Sequence, residues 1–251
     1  MTAFDATLHS LALQLGPQWQ LRAVAETGST NSDLLEACRQ GAPIQPQLLV
    51  AERQTAGRGR LGRSWHAEPG AALTFSLACA APSAALDALS LAVGTVLVEA
   101  LDPEGLGLQL KWPNDLWWQR RKLGGVLIET VSHGGAPRAV VVGVGLNLVA
   151  PQVDQPSAGL RELDPRWTAP LALAAVLPPL AELLLSWRGF GADLQARFSA
   201  RDGLRGLPLS TGNGLHGMAE GVDAEGQLAL RDGDGHRHGL RAGEVRLELN
   251  A

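Results

Sequence analysis

Apolar residues recur along this chain at two spacings, one typical of helices and the other typical of strands. Runs in which leucine and alanine return every three or four positions predict helices. Short runs rich in valine and leucine, bounded by glycine, proline or asparagine, predict strands. Helices are expected at 7–15, 31–39, 84–101, 171–187 and 191–201, and strands at 19–25, 48–52, 73–79, 108–112, 123–131 and 138–148.

The order of these elements predicts an α+β fold in which a mixed sheet is backed by helices, because strands and helices do not alternate strictly. The last two strands, 123–131 and 138–148, are expected to pair across a turn at 133–135. Beyond residue 204 the pattern changes, and glycines separate four short alternating stretches, at 215–222, 227–230, 236–240 and 244–249. This is typical of a small β-barrel. We therefore predict two domains, over 1–204 and 205–251.

The most apolar window, 171–187, contains Pro178, Pro179 and Glu182. Proline removes a helical hydrogen bond and crowds the preceding turn, so we expect a broken or kinked core helix here rather than a membrane span. The net charge of −4 gives no overall basic field for nucleic acid or a membrane surface. Two isolated cysteines and no apparent signal peptide predict a reducing, cytoplasmic location.

The stretch 54–65 is the first candidate for chemistry. It carries three glycines and three arginines, at Gly57, Gly59, Gly62, Arg58, Arg60 and Arg63. Glycine lets the backbone approach a ligand closely, and guanidinium groups match the oxygens of phosphate and carboxylate in pairs. Trp65 offers a face for a flat ring. A solvated basic loop, or a contact with nucleic acid, would have the same composition.

The stretch 111–125 is the second candidate, because it holds the only two lysines of the chain, Lys111 and Lys122. A compact ammonium beside Gly124 and Gly125 suits a developing negative charge on phosphorus. A simple β-hairpin with a solvated basic turn remains the alternative.

Three further patterns are weaker. Ser29, Thr30 and Asn31 at a helix start can cap the helix or bind a polar ligand. The segment 143–147 lacks the third glycine of a dinucleotide fingerprint. His236 and His238 alternate on one expected strand, but no third metal ligand is apparent there, and a solvated hairpin is favoured.

In their order and spacing, four segments together resemble the biotin protein ligases: 27–31, 54–65, 111–125 and 143–147. The resemblance covers about residues 20–250. It implies a catalytic domain related to class II aminoacyl-tRNA synthetases and a C-terminal SH3-like barrel. It also implies that biotin and ATP, with Mg²⁺, form biotinyl-5′-AMP, from which biotin passes to a lysine of a biotin carboxyl carrier protein.

The resemblance also assigns residues. Lys122 and Arg60 would be catalytic, with Lys122 neutralising the charge that passes between carboxylate and phosphate. The substrate-binding residues would be Ser29, Thr30, Asn31, Gln54, Arg58, Gly59, Arg60, Trp65, Lys122, Gly125 and Asn147. Among these, Arg58, Gly59 and Arg60 would close over biotin and the α-phosphate, Asn147 would touch the adenylate and Trp65 would stack on adenine. Asp115 is a candidate ligand for Mg²⁺.

Some members of the family carry an N-terminal helix-turn-helix, for which the roughly 25 residues before the first motif are too few, so direct binding of nucleic acid is not expected. No membrane partner is expected, and a homodimer is left open. A lipoate or octanoate ligase is the nearest alternative, and a non-catalytic biotin-sensing or nucleic-acid-binding module is a second.

Overall fold

A seven-stranded mixed sheet is the framework of the molecule in the computed structural model, which describes residues 2–40, 44–133, 136–241 and 245–247. The strands are β1 (Gln20–Thr27), β2 (Gln47–Gln54), β3 (Ala72–Ala80), β4 (Leu108–Lys111), β5 (Asp115–Trp118), β6 (Arg121–His133) and β7 (Ala136–Asn147). They lie in the order β1-β2-β3-β7-β6-β5-β4. Only β1 and β2 pair in parallel, and the other neighbours are antiparallel. The expected mixed sheet is confirmed.

Helices cover both faces of this sheet. They are α1 (Asp5–Leu15), α2 (Thr30–Arg39), α3 (Leu89–Leu101), α4 (Leu160–Leu163), α5 (Ala169–Ser186) and α6 (Ala192–Arg201). The helix α2 packs on one face, where Leu34, Leu35 and Cys38 meet buried residues of β2, β3 and β7. The helices α1, α3 and α5 pack together on the other face. With both faces covered, β3 is buried along nearly its whole length, which explains why it is mostly apolar on both faces.

The helix α5 runs without a break through Pro178 and Pro179, contrary to the expected interruption. The two prolines cannot donate to the carbonyls one turn earlier, those of Ala174 and Ala175, and both alanines are only half-buried. Among the described helices, α5 alone is long and apolar enough to cross a membrane. Seven of its side chains are nevertheless buried inside the protein, as in a core helix.

A second, five-stranded antiparallel sheet follows α6 and fits the expected SH3-like barrel. Its strands are β8 (Pro208–Thr211), β9 (His216–Val222), β10 (Leu228–Arg231), β11 (Arg237–Leu240) and β12 (Val245–Leu247), in the order β11-β10-β9-β8-β12. Its buried residues join those of the larger sheet in one continuous apolar cluster. The division at 204/205 stays a proposal, because the core does not separate there.

Three expectations about elements need correction. The strands β5 and β8 were not predicted, and each has only four residues. The helix α3 begins at Leu89 rather than residue 84, since the preceding segment ends in a turn in which Leu89 N–H donates to Leu86. The expected turn at 133–135 and the ends of the strand at 244–249 fall partly outside the described residues.

Candidate active site

One cavity of about 380 Å³ opens at the edge where β2 and β7 end and β6 begins. Every residue singled out from the sequence for substrate, catalysis or metal lines it: Ser29, Thr30, Asn31, Gln54, Arg58, Gly59, Arg60, Trp65, Asp115, Lys122, Gly125 and Asn147. The two cationic stretches, far apart in sequence, therefore converge on one space.

The glycine-arginine stretch folds as a tight hairpin over this cavity. Trp65 N–H donates to Gly57 O at 2.9 Å, and Gly59 N–H donates to Arg63 O at 2.7 Å. A Cβ on Gly57 would lie 2.5 Å from Trp65 O, so this close approach requires glycine. At the tip, Leu61 has a φ of 56° and a side chain that is 74% exposed.

Arg60 connects the hairpin to the lysine-containing stretch. Its Nη1 donates to Asn114 Oδ1 at 3.0 Å, and Asn114 Nδ2 donates to Val126 O at 2.9 Å. The guanidinium is thus held across the cavity by a side chain that is itself anchored to β6. This contact brings Arg60 to the connection between β4 and β5, within the lysine-containing stretch.

Lys122 stands at the start of β6 and points its ammonium at Asp115. The distance from Nζ to Asp115 Oδ1 is 2.8 Å, and the two side chains are 22% and 14% exposed. The backbone of Lys122 is fixed as well, because its N–H donates to Pro156 O and its carbonyl accepts from Ala158 N–H, both at 2.9 Å. A Cβ on Gly125 would lie 3.3 Å from Asp115 Oδ1, closer than most such contacts, so glycine leaves room beside this ion pair.

Lys111 lies elsewhere on the cavity wall. Its ammonium is 5.2 Å from the ring centroid of the buried Trp117, a cation–π contact. The two lysines of the chain therefore have different partners, an aromatic face and a carboxylate.

The floor of the cavity is a row of buried polar side chains. Gln54 Oε1 accepts from Thr30 N–H at 2.8 Å, and the hydroxyls of Thr30 and Ser76 are 2.7 Å apart. Ser76 donates in turn to Asn31 Oδ1 at 2.7 Å, and Asn31 Nδ2 donates to Glu129 at 2.9 Å. A row of side chains that fix one another by hydrogen bonds is preorganised for a small polar ligand.

Trp65 covers the end of β7. A Cβ on Gly145 would lie 2.5 Å from the indole ring, so bare backbone is needed beneath it. The indole Nε1 is buried and has no hydrogen-bond partner among the described residues. A buried N–H of this kind is costly unless a ligand atom accepts from it.

Asn147 is buried, and its side-chain amide donates hydrogen bonds within the protein. Its amide nitrogen donates to Lys122 O at 3.3 Å and to Ala158 O at 3.2 Å. It thereby ties the end of β7 to the start of β6 and to the segment that follows β7. The cavity lining still includes Asn147.

The two histidines of the C-terminal sheet are not part of this cavity. His238 Nε2 lies 2.7 Å from Asp232 Oδ2, and this hydrogen bond holds the pKa of the Asp232 carboxyl below its usual range. Asp232 also accepts from the backbone of Asp234 and His236, as in an Asx turn. Asp232, Asp234 and His236 bring possible metal-ligand atoms within 4.8 Å of one another. Asp234 and His236 are exposed, however, as in the solvated hairpin expected there.

Sequence reasoning missed several residues in and around the cavity. Ser76 lines the cavity, and Glu129 contacts the lining residues Asn31 and Arg58. Both lie in the middle of apolar strands, and that interruption of the apolar pattern was their only signal. Asn114 lies in the stretch 111–125, but no role was assigned to it from the sequence. Val245 and Arg246 of β12 also line the cavity, and nothing in the sequence connects them to it.

Comparison with known proteins agrees with this geometry. Residues 24–147 match the model of the Biotin/lipoate A/B protein ligase family. The chain is 35% identical to the biotin–[acetyl-CoA-carboxylase] ligase of Mycobacterium tuberculosis, over 96% of this chain and 94% of that protein. It is 32% identical to the bifunctional ligase/repressor BirA of Escherichia coli, over 87% of this chain and 71% of that protein.

The solved structure of the Aquifex aeolicus biotin protein ligase in complex with biotin and ATP superposes with a TM-score of 0.77. Its identity is 28%, and the match covers 92% of this chain and 99% of that one. The fold and the relatives define a ligase of the biotin and lipoate class. Within that class, the chain belongs to the biotin protein ligase family.

Proposed function

We propose that the protein is an ATP-dependent ligase that attaches biotin to a lysine of a biotin carboxyl carrier protein. The observation that supports this most directly is the convergence of Arg58, Arg60 and Lys122 on one cavity. Such a cluster suits a reaction in which negative charge gathers on a carboxylate and a phosphate at once. Biotin and ATP are proposed as the substrates because the similar proteins include a biotin–[acetyl-CoA-carboxylase] ligase and a biotin protein ligase in complex with biotin and ATP.

In the first step a carboxylate oxygen of biotin attacks the α-phosphorus of ATP. The new O–P bond gives biotinyl-5′-AMP, and pyrophosphate leaves with the electrons of the broken P–O bond. Lys122 and Arg60 are the catalytic pair, because cations placed where charge develops stabilise the transition state more than the separate substrates. Arg58 and Gly59 close the same side of the cavity.

In the second step the ε-amine of the carrier lysine attacks the acyl carbon, and AMP leaves. The mixed anhydride must survive until the carrier arrives, so water must be kept from it. The hairpin around Arg60, tied to Asn114 across the cavity, is suited to that task.

The polar floor is the biotin site in this proposal. Ser29, Thr30, Asn31 and Gln54 supply hydrogen-bonding groups for the polar ring and the carboxylate, and Gly125 allows close approach. The nucleotide lies towards β7, where Trp65 stacks on adenine and Asn147 touches the adenylate. The unpartnered indole N–H of Trp65 fits a site that a ligand completes.

The described residues fit a magnesium ion that is bound mainly by substrate phosphates. Mg²⁺ prefers oxygen ligands and is commonly held by one or two carboxylates together with phosphates and water. Of the described residues that line the cavity, Asp115 is the only one with a carboxylate. When bound, the ion would neutralise phosphate charge, and Asp115 would hold it.

We place the protein in the cytoplasm, with a biotin carboxyl carrier protein as its macromolecular partner. Neither nucleic acid nor a membrane is included among the partners, in line with the net charge of −4. A homodimer stays open. We propose 1–204 as the catalytic domain and 205–251 as the SH3-like domain.

The direct test is incubation of the purified protein with ATP, Mg²⁺ and labelled biotin, with and without a carrier domain. We expect biotinyl-AMP without carrier and biotinylated carrier lysine with it. Parallel reactions with lipoate and octanoate test the nearest alternative, which would be favoured if either acid were activated and biotin were not. Binding of biotin without adenylate formation would favour a non-catalytic module.

A further inference from the structure

The carboxylate of Glu129 touches two parts of the proposed biotin site at once. Oε1 accepts from Arg58 Nη2 at 2.9 Å, and Oε2 accepts from Asn31 Nδ2 at 2.9 Å. Arg58 belongs to the hairpin above the cavity and Asn31 to its floor. Since the Glu129 side chain is only 22% exposed, its two hydrogen bonds are partly shielded from water.

This carboxylate determines the orientation of the Asn31 side-chain amide. A carboxylate only accepts hydrogen bonds, so the NH₂ of Asn31 must face Glu129. The oxygen of Asn31 then faces Ser76, which donates to it at 2.7 Å. The side chain has little space to avoid these partners, because a Cβ on Gly143 would lie only 2.4 Å from that oxygen.

The direction of the next hydrogen bond along the floor follows from this one. A hydroxyl carries one hydrogen, and Ser76 donates its hydrogen to Asn31. The oxygen of Ser76 therefore accepts from the Thr30 hydroxyl, 2.7 Å away. The Gln54 amide is fixed separately, because the backbone N–H of Thr30 donates to its Oε1 at 2.8 Å. The acceptor-only carboxylate of Glu129 thus fixes the donors and acceptors of Asn31, Ser76 and the Thr30 hydroxyl.

We propose that Glu129 is a positioning residue for biotin. It fixes the hydrogen-bond direction of the floor through Asn31 and holds Arg58 of the hairpin against the site. This inference rests on the proposed function, in which the cavity binds biotin, but it assigns a role to a residue that contacts the site only through other side chains.

The variant Glu129→Gln keeps the shape of the side chain and separates these effects from packing. Arg58 and Asn31 donate to different oxygens of Glu129, and in glutamine one of those two positions is an NH₂ group that cannot accept. If its NH₂ faces Asn31, the Asn31 amide must turn over and the row reverses, so that Thr30 donates to Gln54 Oε1, which is already 3.1 Å away. If its NH₂ faces Arg58, the hold on the hairpin is lost.

Three measurements on the full chain test the proposal. We expect isothermal titration calorimetry to show a biotin dissociation constant raised about ten-fold or more in Glu129→Gln, since a partly shielded charged hydrogen bond is lost. The KM for biotin should rise with it, while kcat at saturating biotin stays within about three-fold, because uniform binding is what is lost. Trypsin should also cut after the hairpin arginines faster than in the wild type.

The matched control is Glu99→Gln, which breaks another partly exposed carboxylate–arginine pair, with Arg197 at 2.6 Å, away from the cavity lining. It should leave biotin affinity and hairpin cleavage at wild-type values. If Glu129→Gln does not fold, Glu129→Asp serves instead, because it keeps an acceptor-only group but shortens its reach to Arg58 and Asn31, with weaker biotin binding and faster cleavage after the hairpin arginines expected.

Wild-type affinity together with wild-type cleavage in the folded variant would overturn the positioning role and leave the ligase activity intact. If instead the wild type binds biotin without forming an adenylate, the proposed activity fails. The dissociation constants and cleavage rates would still test the positioning role of Glu129 in that case, because neither measurement requires catalysis.

Discussion

The Lys122 ammonium is held in a fixed position beside the cavity. It faces Asp115 at 2.8 Å, and the backbone of Lys122 is hydrogen-bonded on both sides. The charge therefore stays in one place without a ligand. A compact ammonium, unlike the planar fork of a guanidinium, is a point charge that a carboxylate and a phosphate can share when they meet beside it.

Lys122→Ala should lower the rate of biotinyl-AMP formation by about 10² to 10³, which is typical for the loss of one preorganised charge partner in a transition state. Biotin affinity should change little, because the polar floor does not involve this residue. Pyrophosphate release and calorimetry with biotin measure the two effects separately. Lys122→Arg is a useful companion, because it keeps the charge but changes its shape. Near-normal pyrophosphate release in Lys122→Ala would remove Lys122 from the catalytic role.

Arg60→Gly should allow biotinyl-AMP to escape. The variant loses the 3.0 Å hydrogen bond to Asn114 and adds backbone freedom to the hairpin, so water and foreign amines can reach the anhydride. Mass spectrometry should find biotin on lysines of a bystander protein such as serum albumin. Arg53→Gly, which removes an exposed arginine paired with Glu26 outside the cavity lining, is the control. Strict carrier selectivity in Arg60→Gly would contradict the shielding role.

Some residues in and around the cavity could be predicted from the sequence, and others could not. The hairpin arginines and Lys122 lie in contiguous stretches with unusual composition, so their chemistry is visible in the sequence. Ser76 and Glu129 matter because α2 and the hairpin bring partners to them across the sheet. Such contacts depend on tertiary packing, which local composition does not predict.

At the scale of elements, the β5–β6 hairpin carries backbone strain beside the cavity. Its two-residue turn has positive φ at Gln119 and Arg120, 50° and 61°, with Trp118 paired to Arg121. Two-residue hairpin turns of this geometry normally use asparagine and glycine, because side chains with a Cβ are disfavoured there. The next residue, Arg121, is paired with Glu162 at 2.7 Å.

Arg120→Gly should raise the free energy of unfolding by about 1 kcal/mol, because it relieves the unfavourable φ. For a chain of this size the melting temperature should rise by about 2–4 °C. Arg120→Ala is the matched control, since it removes the same side chain but keeps the Cβ. Equal melting temperatures for the two variants would mean that the turn is not strained.

The same hairpin explains why the element prediction was incomplete. The four-residue strand β4 alternates buried and half-buried positions and was predicted, whereas β5 places two buried residues side by side and β8 has a single buried residue, so neither shows a period of two. Longer strands, such as β3, were predicted to within one residue at each end because their apolar runs are long. The start of α3 was missed because its N-cap residue, Ala88, provides no side-chain capping signal.

At the scale of the whole molecule, the small sheet is joined to the larger one by polar contacts as well as by the common core. Trp112 Nε1 donates to Gly226 O at 3.0 Å, and Gln195 Nε2 donates to Val222 O at 2.8 Å. At the junction, Asp202 lies between β4 and β9. Its Oδ2 is buried without a hydrogen-bond partner in the described parts of the chain, and burial raises the pKa of its carboxyl.

Asp202→Asn should make the protein more stable at pH 7 but not at pH 4. A carboxyl whose pKa is higher in the folded than in the unfolded protein binds its proton more tightly when folded, so it lowers stability as the pH rises above about 4 towards the folded pKa. Asparagine has no charge to desolvate. Urea unfolding at the two pH values measures the difference between variant and wild type, and exposed Asp154→Asn is the control. An equal difference at both pH values would show that Asp202 does not titrate between them.

The contribution of β12 to the cavity has a consequence for biosynthesis. The ribosome completes β7 about a hundred residues before it reaches Val245 and Arg246, which at ~5–20 residues per second is roughly 5 to 20 seconds of translation. During that interval the large sheet can form while one wall of the pocket has not yet been synthesised. A nascent chain therefore lacks a complete chamber for a reactive anhydride until the barrel has emerged and docked.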